Sequence, residues 1–142
     1  MPKRIYKIQG ISLGTASSNT RYGRKEDSLL VTLPQESILS GKFTSNKLKA
    51  APVKLAIENL SNSKKAKKVL LINAGNANAA TGPKGLKDVR KYCKEIALDF
   101  KTSQENVIPF STGVIGEPLA IENYLSAFRE ASKDLSENKW KK

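Results

Sequence analysis

Hydrophobic positions along this chain follow two spacings that alternate from block to block. Ser28-Leu29-Leu30-Val31-Thr32-Leu33 is short, β-branched at two positions and stopped by Pro34, which predicts a strand with one face well buried. Residues 38–44 predict another strand, broken by Gly41. From Pro52 the apolar residues Val53, Ala56, Ile57 and Leu60 fall on one helical face, and proline in a first turn costs no hydrogen bond, so a short helix is expected. Val69-Leu70-Leu71-Ile72 is an uninterrupted apolar run of strand length, as an interior strand requires. After Gly85, Leu86, Val89, Cys93, Ile96, Ala97 and Phe100 recur at three- and four-residue steps, with Lys87, Arg90, Lys91 and Lys94 opposite them. That block is the clearest amphipathic helix. Residues 106–110 predict a further strand, 111–116 a loop, and Pro118 opens a last helix through Ile121, Leu125 and Phe128. The tail, residues 136–142, is polar except for Trp140. Alternating periods of this kind predict an α/β fold, a mixed sheet packed with helices. Without an internal repeat, linker or boundary, residues 1–142 read as a single unit.

Composition narrows the chemistry. The 142 residues are one domain or part of one, and 39% apolar residues suffice for a packed core. There is no histidine, which removes His-dependent triads, His-ligated zinc and the usual neutral-pH proton shuttle. One cysteine removes an internal disulfide framework, and its place on the apolar helix face makes Cys93 a structural thiol rather than a nucleophile. Net charge is +12, and the excess is uneven: residues 1–71 carry 14 Lys and Arg against 4 Asp and Glu, residues 72–142 carry 11 against 9. Lys64, Lys65, Lys67 and Lys68 form a cationic patch, most simply a solvated loop. Glu26, Asp27 and Glu117 are isolated carboxylates expected at the surface, and Tyr6, Tyr22, Tyr92 and Tyr124 show no stacking pattern for RNA. No run approaches the roughly 18 apolar residues of a membrane span, so a soluble cytoplasmic protein is expected.

Two blocks could carry chemistry. Asn73-Ala74-Gly75-Asn76-Ala77-Asn78-Ala79-Ala80-Thr81-Gly82 has no bulky side chain, which suits close backbone approach either to another strand or to a ligand. No Gly-Lys-Ser/Thr follows, so it is not a Walker-type phosphate loop. Phe110-Ser111-Thr112-Gly113-Val114-Ile115-Gly116-Glu117-Pro118 could turn successive N–H groups into an anion-holding concavity beside a hydroxyl, or could be a plain glycine turn.

Taken with Gly41-Lys42-Phe43-Thr44-Ser45-Asn46-Lys47-Leu48-Lys49-Ala50-Ala51-Pro52-Val53, these blocks, in this order and spacing, resemble the N-terminal part of the ArgJ family of arginine biosynthesis, the ornithine acetyltransferase/glutamate N-acetyltransferases. The resemblance runs from about Gly10 to about Arg129. It implies a partial DmpA/ArgJ-type fold and an enzyme that moves acetyl from N-acetylornithine, in some members from acetyl-CoA, to glutamate, without metal, cofactor or prosthetic group. It implies a precursor that cleaves itself into α and β chains assembled as α2β2, with the threonine at the start of β as nucleophile and its amine as local base. It further implies that Thr112, through its hydroxyl, and Gly113, through its backbone N–H, form the oxyanion hole. Ala74 and Ala80 stand where family members commonly have serine and cysteine, so the asparagine block is expected to support the site without a catalytic role.

No residue here matches the nucleophile, because Thr81, Thr102 and Thr112 are internal to other motifs. This chain is therefore expected to be an α-like part, either truncated or completed by a separately supplied β chain, and inactive and aggregation-prone by itself. The competing readings are a noncatalytic fragment and a small basic nucleic-acid-binding module, the latter resting on the net charge and on the lysines of residues 42–68.

Overall fold

A computed structural model describes residues 6–141. Its elements run β1 (Ser12–Ala16), β2 (Ser28–Leu33), α1 (Ala51–Ser61), β3 (Lys68–Asn76), α2 (Gly82–Asp99), β4 (Val107–Val114) and α3 (Ile121–Lys133), with 3-10 turns at Gln104–Asn106 and Lys139–Lys141. The four strands form one sheet in the order β1-β2-β3-β4. β1, β2 and β3 pair antiparallel, whereas β3 and β4 run parallel because α2 carries the chain back across the sheet between them. The α/β expectation holds, as does the interior place of the Val69 to Ile72 run.

Side-chain alternation gives the sheet two different faces. Leu30, Val69, Leu71 and Val107 point into a core closed by Leu55, Val89, Tyr92, Cys93, Ile96, Tyr124 and Phe128 from the helices. The rings of Tyr92 and Phe128 lie 5.8 Å apart. The opposite face carries Leu29, Leu70 and Ile72, each half-buried, and Phe110, which is exposed. α3 lies directly on β1 at Gly14, where a Cβ would stand 2.0 Å from the Ala131 carbonyl oxygen. Exposed ion pairs link the helices side by side: Arg90 donates to both oxygens of Glu58 at 2.8 and 2.6 Å, Lys91 pairs with Glu122, and Arg129 with Asp99 and Glu95.

Several local expectations need correction. Residues 38–44 form no strand. β1 and β3 already occupy both sides of β2, and the segment runs into local side-chain turns in which Thr44 Oγ1 accepts from Asn46 N and Asn46 Oδ1 from Leu48 N. β1 was not anticipated from hydrophobic spacing, since five residues containing a buried glycine carry little pattern. The buried stripe of α1 is Ala51, Pro52, Leu55, Ala56 and Asn59 rather than the Val53–Leu60 face. Asn59 turns it inward by donating to the carbonyls of Gln104 and Val107 at 3.1 and 2.7 Å.

Two charged groups expected at the surface are buried. Lys68 donates from its ammonium to the carbonyls of Gln35, Lys64 and Ala66, so the cationic patch is three lysines rather than four. Asp27 accepts from Ser18 N at 2.8 Å, Ser18 Oγ at 2.5 Å and Ser28 Oγ at 3.0 Å. α2 begins at Gly82, ahead of the position expected, and α3 begins at Ile121, beyond Pro118.

Cys93 is fully buried, and burial pushes its thiol well above the usual range. The native chain should therefore resist an aromatic disulfide reagent at pH 8 and react only in denaturant; rapid native labelling would contradict the packing. Gly14→Ala should destabilise the fold by about 1–3 kcal/mol, read as a lower urea midpoint, because the new methyl meets the α3 backbone. An unchanged midpoint would place α3 farther from β1 than described.

Candidate active site at the paired ends of two strands

The two blocks singled out in the sequence are neighbours. β3 carries Asn73 to Asn76 and β4 carries Ser111 to Val114, paired in parallel as Asn73↔Ser111, Ala74↔Thr112, Gly75↔Gly113 and Asn76↔Val114. Residues 111–116 are expected as a loop, yet Ser111 to Val114 extend β4, as Asn73 to Asn76 extend β3. Glycine makes this possible: Gly75 and Gly113 have φ of +103° and +134°, and a Cβ on Gly113 would lie 2.2 Å from the Gly75 carbonyl carbon. The pairing continues outward, with Ala77 N donating to Val114 O at 2.9 Å and Gly116 N to Ala79 O at 2.8 Å. The turn thus falls after Val114, and the expected concavity of successive N–H groups at Ser111-Thr112-Gly113 is replaced by an extended edge strand.

The asparagines are framework. Asn73 Nδ2 donates to Asn76 O at 2.8 Å and its Oδ1 accepts from Ser111 Oγ at 2.6 Å, tying β3 to β4 by side chains as well as backbone. Asn76 Nδ2 donates to the carbonyls of Glu117 and Pro118, while its Oδ1 accepts from Asn78 N at 2.7 Å. Asn78 Nδ2 donates to Gly85 O, and its Oδ1 accepts from Thr81 Oγ1. Gly85 is required beneath them, because a Cβ there would meet Thr81 Oγ1 at 1.9 Å. These buried amides spend their hydrogen-bonding capacity on the chain itself, as the supporting role requires.

Residues from elsewhere complete the support. Tyr124 of α3 donates from its hydroxyl to Ala74 O at 2.9 Å and lies 3.3 Å from Thr20 Oγ1, while Ala74 N donates to Asp27 O. Asp27 and Thr20 had no part in the sequence reading of the site; both lie far from it along the chain, and no local motif marks them. Beneath the strands, burial holds the Tyr92 phenol well above its usual range, so it stays neutral.

Thr112 and Gly113 lie at the exposed end of β4, the strand at one edge of the sheet. Thr112 shares its strand face with Ile108 and Phe110, away from the helices. Its hydroxyl has no hydrogen-bond partner among the described residues, in contrast to Ser111 beside it. A cavity of about 200 Å³ lies against Gly75, the partner of Gly113, and is walled by Thr20, Asn76 and Tyr124; Arg21 and Glu117, 3.6 Å apart, also line it. A larger cavity of about 660 Å³ begins at Ile115, just past the end of β4. Among the described residues no group of three or more His, Cys, Asp or Glu side chains could hold a metal ion. No helix among them is long and apolar enough to cross a membrane.

Comparison with known proteins identifies the family and the fold. The ArgJ family model matches residues 12–142. The arginine biosynthesis bifunctional protein ArgJ of Methylococcus capsulatus is 41% identical over 137 residues, covering 96% of this chain and 33% of the relative. The protein of the same name from Pseudomonas fluorescens is 38% identical over 136 residues, again with 96% and 33% covered. The chain thus spans about a third of the length of these relatives. Among solved structures, the arginine biosynthesis bifunctional protein ArgJ of Bacillus halodurans superposes with a TM-score of 0.75 at 28% identity, covering 86% of this chain and 63% of that one. The ornithine acetyltransferase of Mycobacterium tuberculosis, solved with ornithine, shares the fold with a TM-score of 0.83 at 24% identity, covering 92% and 69%. Its mixed α/β topology is that of these structures, and on the family match and the extent of identity this chain belongs to the ArgJ family.

Proposed function

We propose that this chain is the α part of an acetyltransferase of arginine biosynthesis and that it stabilises the oxyanion formed while acetyl passes from N-acetylornithine to glutamate. In this reading a β chain, assembled with it as α2β2, brings an N-terminal threonine to the open edge of β4. The amine of that threonine takes the hydroxyl proton, and the oxygen attacks the acetyl carbonyl carbon. Charge then gathers on the carbonyl oxygen, where the Thr112 hydroxyl and the Gly113 N–H donate to it. Collapse expels ornithine, its nitrogen taking the proton, and leaves acetyl-threonine. The amino group of glutamate attacks that ester in turn, through a second oxyanion at the same place, to give N-acetylglutamate and restore the threonine. Acetyl-CoA can replace N-acetylornithine as donor in the first half of the cycle.

The observation that carries the reading is the unpartnered Thr112 hydroxyl beside Gly113 on a strand end anchored through Asn73, Ser111 and the Gly75 contact. Donors held in place before charge develops need not reorient when it does, and each is worth roughly 2.7–4 kcal/mol in enzymes of this chemistry. The half-exposed apolar face around Ile72 and Phe110 offers the β chain a surface to cover.

Thr112→Val keeps the shape and removes the donor. In enzyme assembled from this chain and a family β segment, it should slow N-acetylornithine-dependent acetylation of glutamate by roughly 10²–10³-fold without moving the thermal unfolding midpoint. A wild-type rate in the variant would remove Thr112 from the mechanism, and a folded but inactive wild-type assembly would favour a noncatalytic fragment.

A further inference from the structure

β3 runs three residues past the end of its antiparallel partner. The last pair with β2 is Ser28↔Asn73, whereas the parallel ladder with β4 continues through Ala74↔Thr112, Gly75↔Gly113 and Asn76↔Val114. Alternation along a strand sends the N–H and C=O of Ala74 to the edge that β2 has left. There they are held one at a time: the N–H donates to Asp27 O at 2.8 Å, and the C=O accepts from the Tyr124 hydroxyl at 2.9 Å. Two residues on, Asn76 O accepts from Asn73 Nδ2. Two side chains and one backbone carbonyl thus stand in for a strand along the overhang.

Tyr124 joins the core to that edge. Its ring is 1% exposed and packs in the main hydrophobic cluster, while its hydroxyl reaches the strand end, where a Cβ on Gly75 would lie 3.4 Å from it. Thr20 Oγ1 lies 3.3 Å from the same hydroxyl and 2.7 Å from Ser18 Oγ, which donates to the buried Asp27 carboxylate. Asn123, beside Tyr124 in the first turn of α3, donates from Nδ2 to Ser18 O at 3.1 Å. The segment between β1 and β2, the start of α3 and Ala74 are therefore fastened to one another, and the residue across the ladder from Ala74 is Thr112.

We propose that Tyr124 is a positioning residue: by donating to Ala74 O it holds the overhanging end of β3, and through the Ala74↔Thr112 and Gly75↔Gly113 pairs it fixes where the Thr112 hydroxyl and the Gly113 N–H stand. The mechanical link rests on the hydrogen bonds and the register; only its catalytic consequence rests on the oxyanion reading. Donors help in proportion to how well they are held where charge develops, so slack in the strand end costs rate rather than substrate affinity.

Tyr124→Phe keeps the ring in the core and removes the donor. Phe128→Leu is the control, because it loosens the same helix in the same core and takes no hydrogen bond from Ala74. Deuterium exchange read by mass spectrometry, on the full chain free and assembled with a family β segment, should run at least about threefold faster over residues 69–76 and 107–116 in Tyr124→Phe, with α2 unchanged. In the assembled enzyme, kcat for transfer from N-acetylornithine should fall about three- to tenfold with KM unchanged. Phe128→Leu should lower the thermal midpoint at least as far and leave kcat within about twofold. Unchanged exchange over 107–116 in Tyr124→Phe, a raised KM in place of a lowered kcat, or an equal loss of kcat in Phe128→Leu would each overturn the positioning role. The two proposals fail separately, because exchange is read without turnover. If Thr112→Val kept the wild-type rate while Tyr124→Phe loosened 107–116, the oxyanion reading would fall and the link from Tyr124 to β4 would stand.

Discussion

Everything at the candidate site depends on two backbones passing with no Cβ between them. Gly113 of β4 stands against Gly75 of β3 so closely that a methyl would meet carbonyl carbon at 2.2 Å, and both glycines take positive φ. An alanine at either position meets a steric penalty in φ, and at Gly113 it also lacks space. That contact keeps the parallel ladder in register to Val114 and so fixes the position of Thr112 on β4.

Around this crossing the strand ends are tied together by neutral amides and a hydroxyl. Asn73, Asn76 and Asn78 bind each other's backbone, Ser111, the Glu117 and Pro118 carbonyls and the start of α2. Amides bonded in this way make a stiff support. The absence of histidine from the sequence is no obstacle to acyl transfer when an attacking group brings its own amine.

Much of this was legible in the residues, because long apolar periods report burial directly. β2 has the predicted limits, Cys93 and Ile96 lie in the core, and the Val69 to Ile72 run is interior. The errors have one physical origin: polar and small residues whose place is set by distant partners. Asn59 turned α1, Lys68 and Asp27 were drawn inward by carbonyls and hydroxyls, and the first four residues of two glycine-containing blocks continued their strands because each supplied the other's neighbour. A resemblance spread over three blocks indicated the family correctly, since it rests on order and spacing rather than on local conformation. It could not reveal that Thr112 is unpartnered or that Gly75 lies against Gly113, which are facts of three-dimensional packing.

The most direct measurement is a crystal structure of the assembled enzyme trapped as its acetyl-threonine intermediate. The account predicts the acetyl carbonyl oxygen about 2.7–3.1 Å from both Thr112 Oγ and Gly113 N. An acetyl oxygen held by other donors, with Thr112 pointing away from it, would contradict the account.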